Sequence, residues 1–126
     1  MNSPSSFCTI CTNNCKQELA GFLLSLSLHH PNEKVYVMCD TDTQEYIYNM
    51  SIEPILKIIW NVTLDPYSKF TRAEMEKNGL WSDFQMAKAD VIQIALMKEK
   101  DTLFLDCDTI ILDRIEDIDF TKELGV

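Results

Sequence analysis

Strand-like and helix-like segments alternate regularly over roughly the first half of the chain, and this alternation limits the fold more than any other feature of the sequence. The β-rich runs are 7–11, 34–39 and 55–60, and helical patterns occupy 16–30 and about 44–50. Strands separated by helices at this spacing are typical of a mostly parallel α/β sheet flanked by helices. We therefore predict a single α/β domain over residues 1–126.

The second half of the chain continues the alternation after a long connection. Residues 61–81 lack a clear pattern apart from one helical turn near 71–77, and a connection of this length is often a lid or binding loop. Ser82 and Gln85 have the spacing of a capping box, which predicts a helix from Asp83 to about Met97. An apolar strand is predicted next, at 102–106.

Two aspartates, Asp106 and Asp108, stand at the end of this last strand. Two carboxylates this close at the mouth of a buried strand are costly to desolvate unless a positive charge lies between them. Carboxylate oxygens suit Mn²⁺ or Mg²⁺, which complete their coordination with phosphates and water. The Asp-x-Asp pair therefore predicts a divalent-cation site with Asp106 and Asp108 as ligands.

Lys88 lies in the middle of the apolar stripe of the predicted helix at 83–97. A lysine in such a stripe snorkels, pairs with an acid or faces an anion. Lys88 precedes Met97 by nine residues, about 14 Å of helix. Asp106 lies about 13 Å along the strand from Thr102. The helix runs antiparallel to the strand, so these nearly equal distances place Lys88 level with Asp106 at the edge where a ligand would bind. The alternative is that Lys88 faces no ligand and only forms an ion pair with Asp106.

Other polar residues follow the first two strands. Thr12 and Asn13 come directly after the first strand, and Asp40 comes directly after the second. Ligands of parallel α/β sheets gather at the carboxyl ends of the strands. We therefore predict that these three residues share one edge of the sheet with the Asp-x-Asp pair.

Composition and charge exclude several functional classes. The net charge is −9, and no basic cluster is longer than two residues, which disfavours binding to nucleic acid or to anionic membranes. We expect no membrane span and no signal peptide. Five cysteines indicate free thiols in a reducing, cytoplasmic setting. Cys8 and Cys11 point to opposite faces of an extended strand, so they cannot chelate one metal.

Three stretches and one residue together give the chain a family resemblance. The stretches are FCTICTNN at the start, KVYVMCD in the second strand and LFLDCDTIILDRIEDI, and the residue is Lys88. In these, the chain resembles the nucleotide-sugar half of GT-A glycosyltransferases, and most of all the group that contains glycogenin and the bacterial lipopolysaccharide galactosyltransferases. The resemblance implies a Rossmann-like GT-A nucleotide-diphospho-sugar transferase fold. It also implies a metal-dependent transfer of a sugar, with retention of configuration, from a UDP-sugar to a hydroxyl of a glycan, protein or small-molecule acceptor.

The resemblance assigns roles to individual residues. Asp106 and Asp108 would hold Mn²⁺ or Mg²⁺ against the diphosphate, and the backbone near Cys107 would contact the ribose. Lys88 would contact the phosphates or the donor sugar. The uracil or ribose pocket would be lined by Ile10, Thr12 and Asn13. Just after the first strand, where such enzymes carry an aromatic residue that stacks on the base, this chain has Lys16.

Length separates the alternatives that remain. GT-A enzymes usually continue for a hundred or so residues past the Asp-x-Asp, whereas this chain has eighteen residues after Asp108. We therefore expect a fold truncated after that strand, and the second candidate is a donor-binding module without turnover of its own. A haloacid-dehalogenase-like phosphatase is disfavoured, because its motif requires a threonine where Ile110 stands. A homo-oligomer is left open.

Overall fold

The computed structural model describes residues 3–50 and 54–116, which form a four-stranded parallel sheet with helices on both faces. The strands are β1 (Ser6–Cys11), β2 (Lys34–Cys39), β3 (Lys57–Val62) and β4 (Leu103–Phe104). The helices are α1 (Lys16–His29), α2 (Thr41–Tyr48), α3 (Arg72–Lys77) and α4 (Trp81–Leu96), with 3₁₀ turns at Asn13–Cys15 and Asp65–Tyr67. None of the helices in the described residues combines the length and apolarity needed to cross a bilayer. The sequence also predicts a turn or short helix in the acidic stretch 113–126, of which residues 117–126 lie outside the described residues.

The strand order is β3-β2-β1-β4, and every neighbouring pair is parallel. The chain steps from β1 to β2 to β3 in one direction and then crosses back over the sheet to add β4 on the far side of β1. The order therefore reverses between β1 and β4. In open α/β sheets, ligands bind outside the carboxyl ends of the strands at such a reversal. The predicted α/β class with a parallel sheet is confirmed, and the topology selects the β1–β4 edge as the place to look for a site.

Each face of the sheet has its own hydrophobic cluster. Residues of α1 pack with β1 and β2 on one face, and α4 packs through Ala87, Val91 and Ala95 on the other. Cys11 belongs to the first cluster and Cys8 to the second. The prediction that these two thiols point to opposite faces is confirmed, because successive strand residues alternate between faces.

Four predicted boundaries were wrong. β3 covers Lys57–Val62 rather than 55–60, because it pairs with β2 from Lys34 opposite Lys57 to Cys39 opposite Val62. α2 begins at Thr41, three residues before the predicted start, because the Asp40 carboxylate caps it by accepting the backbone N–H of Thr43 at 3.0 Å. α4 begins at Trp81, and Ser82 lies inside it without capping it. β4 covers only Leu103–Phe104, because the chain turns away from β1 shortly afterwards.

The turn between α3 and α4 explains the early start of α4. Thr71 and Glu74 form the capping box that starts α3. At its other end, the N–H of Leu80 donates to the carbonyl of Met75 at 2.8 Å and that of Gly79 donates to Glu76 at 3.3 Å, which is a Schellman motif. Gly79 has φ +71°. The Schellman motif directs the chain straight into α4, so the first turn of α4 forms without a side-chain cap.

Replacement of Gly79 by alanine is expected to lower the free energy of unfolding by about 1 to 2 kcal/mol, the cost of a left-handed conformation for a residue with a Cβ. No atom lies within 4 Å of the position of an added Cβ, so the cost is conformational rather than steric. Urea unfolding monitored by circular dichroism measures it.

The matched control is Gly21→Ala in α1. An added Cβ there would lie 3.3 Å from Cδ1 of Ile110, the tip of a half-exposed side chain that can shift. Alanine also has the higher helix propensity, so this variant should be neutral or up to about 1 kcal/mol more stable. Equal destabilisation by both alanines would contradict the Schellman assignment.

The segment after the Asp-x-Asp returns to α1 and is anchored there by hydrogen bonds. The N–H of Ile111 donates to Oγ of Ser25 at 2.9 Å, and the N–H of Ile115 donates to Nε2 of His30 at 2.8 Å. His30 is fully buried, with its ring edge-on to Phe7 at 5.1 Å. These contacts fix the segment that follows the Asp-x-Asp turn against α1.

His30 should make stability depend on pH. Burial, assisted by the nearby Arg114 and His29, lowers the pKa of His30 below its ordinary value of 6.5. The unfolded chain therefore binds the proton more readily, so the contribution of neutral His30 is complete above about pH 6.5 and is lost as the pH falls below it. Urea midpoints at about pH 7.5 and about pH 5 should show this loss. His30→Gln keeps a hydrogen-bond acceptor but does not titrate, so it should lose less stability between these two pH values. An equal loss in both proteins would contradict the role of His30 in the pH dependence.

Candidate functional site

A cavity of about 600 Å³ lies at the carboxyl ends of β1 and β4, where the strand order reverses. Its walls come from the β1–α1 turn, the segment before α4, the first half of α4, and β4 with the residues that follow it. They are formed by Ile10, Cys11, Thr12, Asn14, Cys15, Glu18, Phe70, Arg72, Met75, Trp81, Phe84, Gln85, Lys88, Phe104, Asp106, Cys107 and Asp108. Six of the eight residues singled out from the sequence therefore line one cavity.

Asp106 and Asp108 are brought together by a turn. The N–H of Thr109 donates to the carbonyl of Asp106 at 3.0 Å, which closes a four-residue turn with Cys107 and Asp108 at its centre. Both aspartates are exposed. The sequence argument that burial of these carboxylates demands a cation was wrong, because β4 ends before them and both groups reach solvent. They remain two acceptor groups, one residue apart, at the mouth of the cavity.

Lys88 occupies the opposite wall of the cavity, on the sheet-facing side of α4. Its ammonium nitrogen lies 4.7 Å from the centroid of the Phe104 ring. Phe104 is two residues before Asp106, so this contact lies about 7 Å along the strand before the residue that the matched rises predicted. Within the described part of the chain, no carboxylate oxygen comes within 4 Å of this nitrogen. The simple Lys88–Asp106 ion pair is therefore absent, and the amine faces the cavity with only an aromatic partner.

Asp40 does not line the cavity, so the prediction that it contacts a ligand directly was wrong. Its role is to position other residues. The residue is fully buried. Its carboxylate accepts hydrogen bonds from the N–H of Asn13 at 2.8 Å, from the N–H of Thr43 at 3.0 Å and from the Thr43 hydroxyl. Burial alone would raise the pKa of Asp40, but hydrogen bonding by Thr43, Ser68 and Asn13 outweighs it and lowers the pKa. Asp40 thus ties the turn after β1, which carries Thr12, to the start of α2.

Asn13 is also turned away from the cavity wall. Its backbone N–H is held by Asp40, and its side-chain oxygen is buried without a hydrogen-bond partner among the described residues. The next residue, Asn14, does line the cavity and donates from its side-chain nitrogen to the carbonyl of Phe70 at 2.8 Å. The sequence selected the correct turn and Thr12 within it, but it named Asn13 where Asn14 faces the cavity.

The segment before α4 supplies a wall that sequence reasoning did not assign. Arg72 stacks its guanidinium 4.5 Å from the Trp81 ring centroid and pairs with Glu76 at 3.0 Å. Trp81 in turn packs against Phe84 with ring centroids 5.6 Å apart. Trp81 and Phe84 are three residues apart on one helix, and this i, i+3 aromatic spacing is the signal that could have identified the wall.

Three thiols also face this cavity. They are Cys11, Cys15 and Cys107. The neighbouring Cys107 thiol and burial raise the pKa of Cys11, and the neighbouring Cys11 thiol lowers the pKa of Cys107. Burial raises the pKa of Cys15 to about 11. All five cysteines are free, as the sequence predicted.

A second cavity, of about 410 Å³, lies on the other side of α4. Asp83 and Asp90 are its charged residues, and the described residues that line it include no lysine or arginine. An anionic ligand would meet only negative charge there. The cavity between β1 and β4 is therefore the better site for a phosphate-bearing ligand.

Comparison of the chain with protein-family models, with curated proteins and with solved structures gives no significant match. The geometry of the described residues therefore carries the functional proposal.

Proposed function

We propose that the chain binds a nucleotide-diphospho-sugar with a divalent cation in the β1–β4 cavity and transfers the sugar to an acceptor hydroxyl. The observation that carries the proposal is the placement of Asp106, Asp108 and Lys88 around one cavity at the reversal of strand order. A diphosphate bridges such groups naturally, since it binds a cation through some oxygens and an amine through others.

The donor set fits a hard divalent cation. Asp106 and Asp108 present carboxylates from one exposed turn, and Mn²⁺ or Mg²⁺ commonly takes one or two carboxylates and completes its coordination with phosphate oxygens and water. The described residues contain no group of three His, Cys, Asp or Glu side chains placed to hold a metal by themselves. This agrees with an ion that needs the diphosphate as a co-ligand. When bound, the cation would neutralise charge on the diphosphate.

Lys88 supplies the second positive group. Its amine has no carboxylate partner in the described residues and lies over the Phe104 ring. In transfer, the acceptor hydroxyl attacks the anomeric carbon and the bond from that carbon to the diphosphate oxygen breaks. A cation placed on the departing diphosphate stabilises the charge that develops on it.

The turn after β1 and the aromatic wall would bind the remainder of the donor. Ile10 and Thr12 line the cavity at the end of β1, where the resemblance to GT-A enzymes places the uracil and ribose. This chain has Lys16 in place of the aromatic residue that stacks on the base in such enzymes, but Trp81, with the Arg72 guanidinium stacked on its ring, lines the same cavity. We propose UDP-sugars as the donor class on this basis.

The experiment is calorimetric titration of the 126-residue chain with UDP, with and without Mn²⁺, followed by a UDP-release assay with UDP-glucose and UDP-galactose. Cation-dependent binding with UDP release supports the transferase. Cation-dependent binding without release supports a donor-binding module, the second candidate from the sequence. Failure of UDP to bind in the presence of Mn²⁺ would contradict both.

A further inference from the structure

Arg72 stands in the wall of the β1–β4 cavity, at the first position of α3. Its guanidinium lies over the Trp81 ring, 4.5 Å from the ring centroid, and Trp81 lines the same cavity. Trp81 covers one side of the guanidinium, yet 70% of the Arg72 side chain is exposed. The side of this planar group that faces away from Trp81 is therefore open to a ligand in the cavity.

Contacts within α3 and α4 hold this guanidinium in place before a ligand arrives. Its Nε donates to Oε1 of Glu76 at 3.0 Å, one turn further along α3. The capping box of Thr71 and Glu74 fixes the backbone at the start of that helix. Phe84 packs against Trp81 with ring centroids 5.6 Å apart. A group that is already ordered loses less conformational freedom when a ligand binds to it.

The wall that carries Arg72 is tied to the turn after β1. The side-chain nitrogen of Asn14, in that turn, donates to the carbonyl of Phe70 at 2.8 Å, two residues before Arg72. The same turn carries Thr12, which lines the cavity. The guanidinium and the turn where the family resemblance places the uracil and ribose are therefore adjoining walls of one cavity.

The position that carries the stacking aromatic residue in GT-A enzymes is turned away from the cavity here. Lys16 occupies that position and does not line the cavity. Its ammonium nitrogen lies 5.2 Å from the centroid of the Tyr46 ring, on α2. A flat base in this cavity needs another planar partner.

Three phenylalanines also line the cavity, and two of them are already in contact with other groups. Phe104 has the Lys88 amine 4.7 Å from its ring centroid. Phe84 packs against two other rings, with centroids 5.4 and 5.6 Å away. Phe70 is the competing platform for a base, and the experiments below distinguish it from Arg72.

We propose that the base of the nucleotide stacks on the open side of the Arg72 guanidinium, which Trp81 supports from behind. This inference rests on the function proposed above and adds to it the residue that holds the base. A guanidinium stacks on the π-face of a base as it stacks on tryptophan, and its charge is attracted to that face. Because every base has a π-face, the platform adds affinity without selecting uracil from other bases.

Calorimetric titration with UDP and with inorganic pyrophosphate, both in the presence of Mn²⁺, separates a contact with the base from a contact with the phosphates. Arg72→Lys keeps the positive charge and removes the planar group. We expect it to weaken UDP binding by about tenfold and to leave the affinity of pyrophosphate unchanged. Lys77→Met removes an exposed lysine of the same helix and is the matched control, which should bind both as the wild type does.

The outcomes separate this proposal from the proposed function. An equal loss for UDP and pyrophosphate would make Arg72 a phosphate contact, and no loss for either would remove it from the site. Both results overturn the stacking platform while the proposed function stands. Failure of UDP to bind the wild-type chain with Mn²⁺ would overturn the proposed function and the platform together.

A second measurement uses the wild-type chain, so it does not depend on the folding of a variant. With UDP and Mg²⁺ bound, we expect nuclear Overhauser effects between the ring protons of uracil and the side-chain protons of Arg72. Effects to Phe70 or to Lys16 in their place would put the base on another wall and overturn the proposal.

Discussion

Asp108→Ala is expected to lower the affinity of UDP in the presence of Mn²⁺ by about a hundredfold or more, close to 3 kcal/mol of binding free energy. The variant removes one of the two adjacent carboxylates that we propose hold the cation at the cavity mouth. Because Asp108 is exposed, its loss should leave the melting temperature nearly unchanged. Calorimetry at saturating Mn²⁺ measures the affinity, and differential scanning calorimetry measures the stability.

Asp90→Ala is the matched control for this prediction. Asp90 is also exposed, but it lines the smaller cavity on the other side of α4. It should bind UDP and Mn²⁺ as the wild type does. A large loss in Asp90→Ala with none in Asp108→Ala would move the site to that second cavity.

Lys88→Met is expected to weaken UDP binding by about ten- to a hundredfold, the range for loss of a hydrogen bond to a charged group. Methionine keeps an apolar stem against Phe104 while removing the charge, so the effect should fall on binding rather than on folding. Affinity of the variant should also depend less on salt concentration, since a screened charge has been removed. Titrations at two ionic strengths measure both effects.

Lys98→Met removes an exposed lysine just past the end of α4 and serves as the control. It should bind as the wild type does. Lys88→Arg should recover part of the affinity, because it restores the charge with a different shape. Unchanged binding in Lys88→Met would mean that the amine only packs on Phe104.

Local patterns were sufficient to predict most of the fold. The run 34–39 forms β2 with the predicted bounds, and the helical pattern at 16–30 forms α1, with Leu19, Phe22, Leu23 and Leu26 fully buried. The parallel sheet followed from the alternation of strands and helices. These features depend on residues near each other in sequence, which is why periodicity identifies them.

Boundaries failed where two local signals competed. Thr71 and Ser82 both begin a capping-box pattern, but only Thr71 caps a helix. The choice is made by the Schellman motif at Gly79, which directs the chain into α4 before Ser82 is reached. Pattern alone does not rank one signal above another.

The site was predictable where it depends on strand ends, and not where it depends on contacts between distant segments. Asp106, Asp108 and Lys88 followed from strand and helix positions. The stack of Arg72 on Trp81 did not, because it joins α3 to α4 across an irregular connection. The capping role of Asp40 was missed because α2 was predicted to start three residues too late.

Paramagnetic broadening by Mn²⁺ in the amide spectrum of the chain, recorded with UDP bound, tests the central claim most directly. We expect selective loss of the signals of Thr12, Cys107 and Asp108, which line the β1–β4 cavity, with those of Gln93 and Met97, beside the second cavity at the far end of α4, retained. Broadening centred on Gln93 and Met97, or broadening that does not change when UDP is added, would contradict a cation and diphosphate held together between β1 and β4.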